Sequence, residues 1–476
     1  MYKEAVIKSL FWSTIERFSA KGTQFLLGII LARLLLPEDY GLIGITSIFM
    51  AISTTFTDSG FRNALIQKKN RDEKDFSTVF YFNISVAFLI YLILFFAAPF
   101  ISIFFDNSVL TLVIRVSMIT VIVNSFSVVQ VAKFSIDLNF KTQTKATLVS
   151  VLISGLIGII LAYYDFGIWA LVTQSIVKSI FNVALLWYYS GWIPLDGFHK
   201  HRFKSLFGFG SKLLLASFLD TIYRNIYLII IGKFYAIKEV GIYSRAKQFS
   251  NFPSSNLTQI LDRVTYPLLS QIQDDRQKLT EKYKLIIGNS GLVFFPIMVL
   301  LLTLAKPMVI LILTENWLSV VWMLQLLCGA SILYPIHALN LNILKVNGRS
   351  DLVLKLEVYK KIVTSIILVI TVFLGIRAII VGQIASSIIS LFLNISYTQR
   401  FIDYPLVSQI KDIAILLFFN FLMGLIVFLA TSLLENDLSK IIVGLTLGLP
   451  FYVVTTWIYK VGYIRSLPGY FYTIKT

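Results

Sequence analysis

The chain has 476 residues, 57% of them hydrophobic and only 14% charged, with a mean hydropathy of +0.79. Soluble domains are about 45–50% apolar and about 25% charged, so a soluble globular protein is excluded. The formal charge of +17 would suit a nucleic-acid surface, or the excess of basic residues that membrane proteins keep in cytoplasmic loops. The single cysteine, Cys328, excludes a disulfide framework and a cysteine-ligated metal or iron–sulfur site.

Apolar runs of roughly twenty residues, the length that crosses a bilayer as a helix, recur along the whole sequence. In chain order they fall near 10–33, 41–61, 76–98, 109–131, 147–164, 167–189, 206–231, 241–266, 285–304, 317–341, 358–375, 378–397, 412–432 and 439–459. The expected fold is therefore an all-α polytopic membrane protein with about 14 transmembrane helices. Glu16, Arg17 and Lys21 interrupt the first run, which is too long for a signal-peptide core, so it is expected to stay in the mature protein. With the N-terminus inside, 28 of the 42 Lys and Arg fall in cytoplasmic segments, 6 outside and 8 within spans. That alternation predicts both termini in the cytoplasm and accounts for most of the positive charge as topology. A nucleic-acid surface is not needed. Loops such as 63–75 and 268–284 are too short for a separate catalytic domain.

The sequence also repeats itself. Leu31 through Ile43 lies over Ile231 through Tyr243 at an offset of 200, with Gly41 over Gly241. At an offset of 208, Ala98-Pro99 lies over Lys306-Pro307, Asn139 over Asn347, and Gly167-Ile168 over Gly375-Ile376. Collinear matches at loops and span ends predict a duplication. Six spans return the chain to its starting side, so the two copies are expected to form six-helix lobes related by a pseudo-two-fold along the membrane normal. The expected divisions are 1–205, 206–400, and 401–476 for two additional helices and a cytoplasmic tail. Gly444 and Gly448 form a GxxxG in the last span that reads as a packing seam, and a monomer is expected.

Ionisable groups at bilayer depth cost at least about 2.5–3.5 kcal/mol on insertion scales, so they normally face a partner or a wet cavity. Span 1 places Arg17, Lys21, Gln24 and Gly28 on one helical face. Span 7 carries Ser217, Asp220 and Arg224, with Lys212 nearer the cytoplasm. Span 8 has a polar stripe from Ser244 and Gln248 to Thr258 and Asp262, with Arg245 and Lys247 toward the outside. The expected substrate-binding set is Arg17, Lys21, Gln24, Lys212, Arg224, Arg245 and Lys247, lining a cationic cavity suited to an anion. Glu16, Asp58, Asp220 and Asp262 are the carboxylates that would bind a coupling proton or Na⁺, although Asp220 and Arg224, four apart, also suit a static salt bridge. Lys212 and Asp262 would also fit simple snorkelling, and Arg115 and Lys178 read as lobe-internal pairs. His337 is read as a packing residue. No catalytic constellation, metal site or cofactor motif emerges.

The stretch Ala32-Arg-Leu-Leu-Leu-Pro-Glu-Asp-Tyr-Gly41, followed by Asp58-Ser-Gly-Phe-Arg-Asn-Ala-Leu-Ile-Gln67, resembles the N-terminal signature of bacterial polysaccharide exporters. These are the Wzx-type lipid-linked oligosaccharide flippases of the multidrug/oligosaccharidyl-lipid/polysaccharide (MOP) superfamily. The resemblance implies a multi-pass protein of the bacterial cytoplasmic (inner) membrane. Its partners would be a polyprenyl-pyrophosphate-linked oligosaccharide, membrane lipids, and a polysaccharide polymerase or other assembly proteins. The family's central cavity takes the pyrophosphate-sugar head group; Arg17, Lys21 and Arg224 correspond to it here by span and face. The competing expectations are a MATE-like drug or cation antiporter, which would favour an acidic, aromatic-lined pocket, and a membrane-embedded polymerase or glycosyltransferase, which would need converging carboxylates or a large loop.

Overall fold

Hydrocarbon offers the backbone no hydrogen-bond partners, so long apolar runs must satisfy their N–H and C=O groups within the segment, as helices. The computed structural model describes residues 22–458 except 59, and every regular element among them is helical. The side chains of Asp58 and Lys212 are among a few more that fall outside the description. The helices are α1 (Gly22–Leu34), α2 (Pro37–Asp58), α3 (Phe61–Gln67), α4 (Glu73–Phe104), α5 (Val109–Ser117), α6 (Ile119–Ser125) and α7 (Val128–Ile136). They continue with α8 (Phe140–Tyr163), α9 (Ile168–Ser190), α10 (Lys200–Phe234), α11 (Ile237–Ser270), α12 (Arg276–Thr303) and α13 (Ala305–Ile312). The last six are α14 (Val320–Ser331), α15 (Tyr334–Val346), α16 (Ser350–Thr371), α17 (Ile376–Thr398), α18 (Leu406–Ser432) and α19 (Asp437–Ile458).

Helices overlap thirteen of the fourteen expected spans and the described end of the first, and the fold is all-α and polytopic. Among the described residues, nine helices are long and apolar enough to cross a membrane, or ten if the bent pair Val109–Ser125 and Val128–Ile136 counts as one. The other four expected spans correspond to α1, α10, α11 and α16. The described part of α1 is short, α10 and α11 carry the polar and charged residues singled out above, and α16 carries Lys355, Glu357, Lys360 and Lys361, so their crossing is a proposal. The 42° bend before α7 has a local cause: the hydroxyls of Ser125 and Ser127 donate to the carbonyls of Ile122 and Asn124, competing with the helical ladder.

The chain divides into two compact units, Met1–Gly241 and Ile242–Thr476. In the first, α8 and α9 pack together and α10 lies along α2, α3 and α4. One core cluster joins Phe61 and Leu65 of α3, Phe76, Val79 and Phe80 of α4, Val129 of α7 and Trp192. The start of α4 is fixed by a capping box between Asp72 and Asp75, and Asp75, fully buried, is met by Lys68 at 2.6 Å. The segment leading into α10 is tied to the same place. Trp192 Nε1 donates to Glu73 at 2.7 Å, the backbone N–H of His199 to Thr78 at 3.2 Å, and Arg202 to Asp72 at 2.7 Å.

The first turns of α2 and α11 meet within this unit through two glycines. A Cβ at Gly41 would lie 2.1 Å from the carbonyl oxygen of Ile237, and one at Gly241 would lie 1.9 Å from that of Pro37. Residue 41 against 237 and 241 against 37 is the exchanged pairing made by two-fold-related copies of one segment. The helices begin at Pro37 and Ile237, the offset of 200 read from the sequence. Further along, Gly167 and Gly375 precede α9 and α17 with φ of +52° and +102°, a region costly for other residues. The copies diverge at the proline pair: Pro99 lies inside the continuous α4, whereas Pro307 lies in α13, after a break at Leu304.

In the second unit α12 is the central element, packing against α14, α15, α18 and α19. Tyr283, Phe294 and Phe295 on α12 are fully buried, as is Trp317. The GxxxG of α19 is a seam inside this unit. Gly444 faces Leu304 and Val427, and Gly448 faces Val427 and Leu300, with Cβ positions 2.8 Å from the nearest side-chain atoms.

Candidate functional site

Basic residues at span depth are the unusual chemistry of this chain, and the structure sorts them by what they touch. In the first unit, Leu27 of α1 seats against Gly155 of α8, where a Cβ would come within 2.3 Å of the leucine side chain. That contact sets the rotation of α1. Gln24, one turn earlier, then accepts a hydrogen bond at 3.2 Å from the Lys178 ammonium on α9. Among the described residues Lys178 meets no carboxylate within salt-bridge distance. Arg115 is internal, with its Nε donating to the Phe95 carbonyl at 3.2 Å and its guanidinium 4.4 Å from the Phe95 ring centroid.

On α10, Arg224 Nε meets Asp220 at 2.7 Å, and the arginine side chain is 78% exposed. The neighbouring face of α10 is tied to α2: Thr221 and Thr55 share a hydrogen bond at 2.9 Å, and Phe218 packs on Phe56. The polar end of α2 is therefore partly a helix–helix contact.

In the second unit, the guanidinium of Arg245 is buried and donates to Gln248 Oε1 at 2.5 Å, one turn further along α11. The Lys247 ammonium lies 5.5 Å from the ring centroid of Tyr243, a cation–π distance. Tyr243 is fully buried and its hydroxyl accepts from Gln383 of α17 at 3.3 Å. Asp262 is held by the amide of Asn342 on α15, which donates to it at 2.8 Å and to Thr265 at 3.2 Å. His337 sits between Ser387 at 3.2 Å and Asn394 at 3.1 Å on α17, next to a bond from Thr398 to Asn340 at 2.7 Å.

Gln24, Asp220 and Arg224 thus belong to the first unit, and Arg245, Lys247 and Asp262 to the second. Glu16, Arg17 and Lys21, and the side chains of Asp58 and Lys212, lie outside the described residues. Tyr243, Gln383 and Asn342 were missed by the sequence reading because none carries a charge and nothing local distinguishes it from its neighbours. Its partner comes from a helix 77 to 140 residues away, which no local pattern announces. Among the described residues no cluster of His, Cys, Asp and Glu could hold a metal ion.

Residues 30–322 match the family model described as polysaccharide biosynthesis protein. The chain belongs to that family. Its relatives include the teichuronic acid biosynthesis protein TuaB of Bacillus subtilis, 26% identical over 298 residues, 62% of this chain and 62% of that protein's own length. The lipopolysaccharide biosynthesis protein WzxC of Escherichia coli is 24% identical over 393 residues, 81% of this chain and 77% of WzxC. In three dimensions, this polysaccharide biosynthesis protein is similar to the lipid II flippase MurJ in an inward closed conformation. The TM-score is 0.72 at 14% identity, covering 94% of this chain and 99% of MurJ. A MATE-family multidrug resistance transporter of the MOP superfamily in an inward-facing conformation gives 0.61 at 13% identity, over 82% of this chain and 98% of the transporter. The fold is like that of both transporters.

Proposed function

We propose that the chain is a flippase that moves an undecaprenyl-pyrophosphate-linked oligosaccharide from the cytoplasmic to the outer leaflet by alternating access. The membrane would be the bacterial cytoplasmic membrane, with both termini inside. The observation that carries the reading is the sign of the charge along two neighbouring helices: the basic residues Arg224, Arg245 and Lys247 sit on α10 and α11, and the guanidinium of Arg245 is buried. Such groups favour an anionic head group, since basic side chains offset the desolvation of a diphosphate in a low-dielectric site. An acidic, aromatic-lined site for a cationic drug would carry the opposite sign. The names of the relatives, which concern teichuronic acid, lipopolysaccharide and lipid II, agree with a substrate of this class.

A charged, sugar-bearing head group does not cross about 30 Å of hydrocarbon unaided, and moving it needs no covalent chemistry. In this reading the lobes 1–205 and 206–400 rock about the substrate while 401–476 packs outside the repeat. Arg17, Lys21, Gln24, Lys212, Arg224, Arg245 and Lys247 contact the head group, and Glu16, Asp58, Asp220 or Asp262 binds a coupling ion. The polymerase that consumes the flipped lipid would be a functional partner. The test is leaflet-resolved: proteoliposomes carrying labelled lipid-linked oligosaccharide, probed with a membrane-impermeant sugar-oxidising reagent. Protein-dependent transfer, lowered by Arg245→Ala and Lys247→Ala at normal abundance, is expected. Transfer no faster than in protein-free vesicles under any ion gradient would refute the proposal.

A further inference from the structure

Lys178 is the eleventh residue of the 23-residue α9, about 15 Å from its start and about 18 Å from its end at about 1.5 Å per residue. In a hydrocarbon layer about 30 Å thick, that is mid-depth. A charged ammonium there requires an anionic partner or a wet cavity. None of the described residues supplies the anion; the contact made is with the neutral amide of Gln24.

The surroundings form a polar track. Gln174, Lys178 and Asn182 follow one another at intervals of four along α9, so they share a face. All three are half-buried. Asn182 is joined to α8 by the Thr147 hydroxyl at 3.4 Å, and Gly158 of α8 leaves room for the stem of Gln174, whose Cβ lies 3.1 Å from where a glycine Cβ would be. The Gln174 amide makes no hydrogen bond to protein among the described residues. Gln24 closes the track from α1, on the helical face that sequence spacing assigns to Arg17 and Lys21.

We infer that Lys178, with the amides of Gln24 and Gln174, forms an anion-binding subsite at mid-depth in the first unit that takes a phosphate-class group. This rests on the flippase reading, which supplies a diphosphate that must pass this depth. A phospholipid headgroup offers the same chemistry but resides at the membrane surface, about 15 Å away. The substrate diphosphate is therefore the assigned ligand, and Gln24 is a positioning residue that aims the ammonium.

The purified full-length protein in neutral detergent tests this with three probes: undecaprenyl pyrophosphate, undecaprenol and phosphatidylglycerol. The diphosphate lipid should bind more tightly than the alcohol. Lys178→Gln should weaken the diphosphate lipid about tenfold, the scale of one charge-assisted hydrogen bond, and leave the alcohol unchanged. Lys178→Arg should keep most of the affinity, and Gln24→Ala should lose a smaller part. A second readout needs no variant: undecaprenyl pyrophosphate should shield Lys178 of the wild-type protein from an amine-acetylating reagent, as read by mass spectrometry. Unchanged diphosphate binding in folded Lys178→Gln, or acetylation at the same rate with and without the diphosphate lipid, would overturn the inference. Equal shielding by phosphatidylglycerol would overturn the assignment to substrate. Loss of leaflet transfer by the wild-type protein with shielding intact would instead remove the flippase reading and leave the subsite standing.

Discussion

Adding one methyl group at Gly241 should damage the protein more than most larger changes elsewhere. The Cβ of Gly241→Ala would sit 1.9 Å from the Pro37 carbonyl oxygen, 2.9 Å from that carbonyl carbon and 2.9 Å from the Gly41 nitrogen. All three are backbone atoms, so no side chain can rotate away. A carbon–oxygen contact relaxes at about 3.3 Å, so the first turns of α2 and α11 would have to part by about 1.4 Å. Overpacking of this kind costs about 1–3 kcal/mol where side chains can yield, so about 3 kcal/mol or more is expected here. A drop of roughly 3 °C or more in the apparent melting temperature follows. The assay is thermal unfolding of the purified protein in detergent, followed by loss of the monodisperse peak in size-exclusion chromatography. Gly41→Ala should behave alike, since its Cβ would lie 2.1 Å from the Ile237 oxygen. The double variant should cost less than the sum, because both methyls open one crossing. Gly208→Ala, which meets nothing within 4 Å, is the control and should be neutral or slightly stabilising. Wild-type melting of both Gly41→Ala and Gly241→Ala would refute the exchanged contact between the two segments.

Lys68→Met removes the ammonium that meets the fully buried Asp75 at 2.6 Å. Part of the cost of an uncompensated buried charge remains covered by the backbone N–H of Asp72, so destabilisation of about 2–3 kcal/mol is expected in denaturant unfolding. Asp351 precedes the apolar part of α16, and hydrogen bonds from Arg349 hold its pKa down to about 2. A depressed folded pKa means that its contribution is present above the unfolded value of about 3.9 and fades as pH falls toward 2. Carboxyl-selective NMR should therefore find Asp351 ionised at pH 3, and Arg349→Gln should return its midpoint to about 4. For topology, Cys328→Ala protein with single cysteines at Lys68 or Lys200 should resist an impermeant maleimide added from outside, whereas cysteines at Asp106 or Glu435 should react. Labelling at 68 or 200 as ready as at 106 would refute the proposed topology.

How much of this was legible beforehand follows from what each signal measures. Hydropathy reports whether a segment can satisfy its own backbone in hydrocarbon, a local property, so the all-helical, multi-span character of the chain was visible in the apolar runs. The duplication was visible because span-end residues such as Gly41 and Gly241, or Gly167 and Gly375, keep their spacing after helix interiors have drifted to interchangeable Leu, Ile and Val. Apolarity alone decided less about α10, α11 and α16, where polar residues weaken the signal.

Partnership was settled only by the tertiary structure, because it depends on how each helix is rotated about its axis and which neighbour it meets. Lys178 and Asp262 illustrate this. The sequence singled out both as ionisable groups within expected spans and could not name the neighbour of either. Packing places Gln24, 154 residues away, beside Lys178, and Asn342, 80 residues away, beside Asp262. Leu27 docking into the gap at Gly155 turns α1 so that Gln24 reaches Lys178, and a glycine on α8 carries no periodic signal that would foretell it. A one-dimensional pattern identifies which residues are costly to bury, and only the packed helices decide which atoms offset that cost.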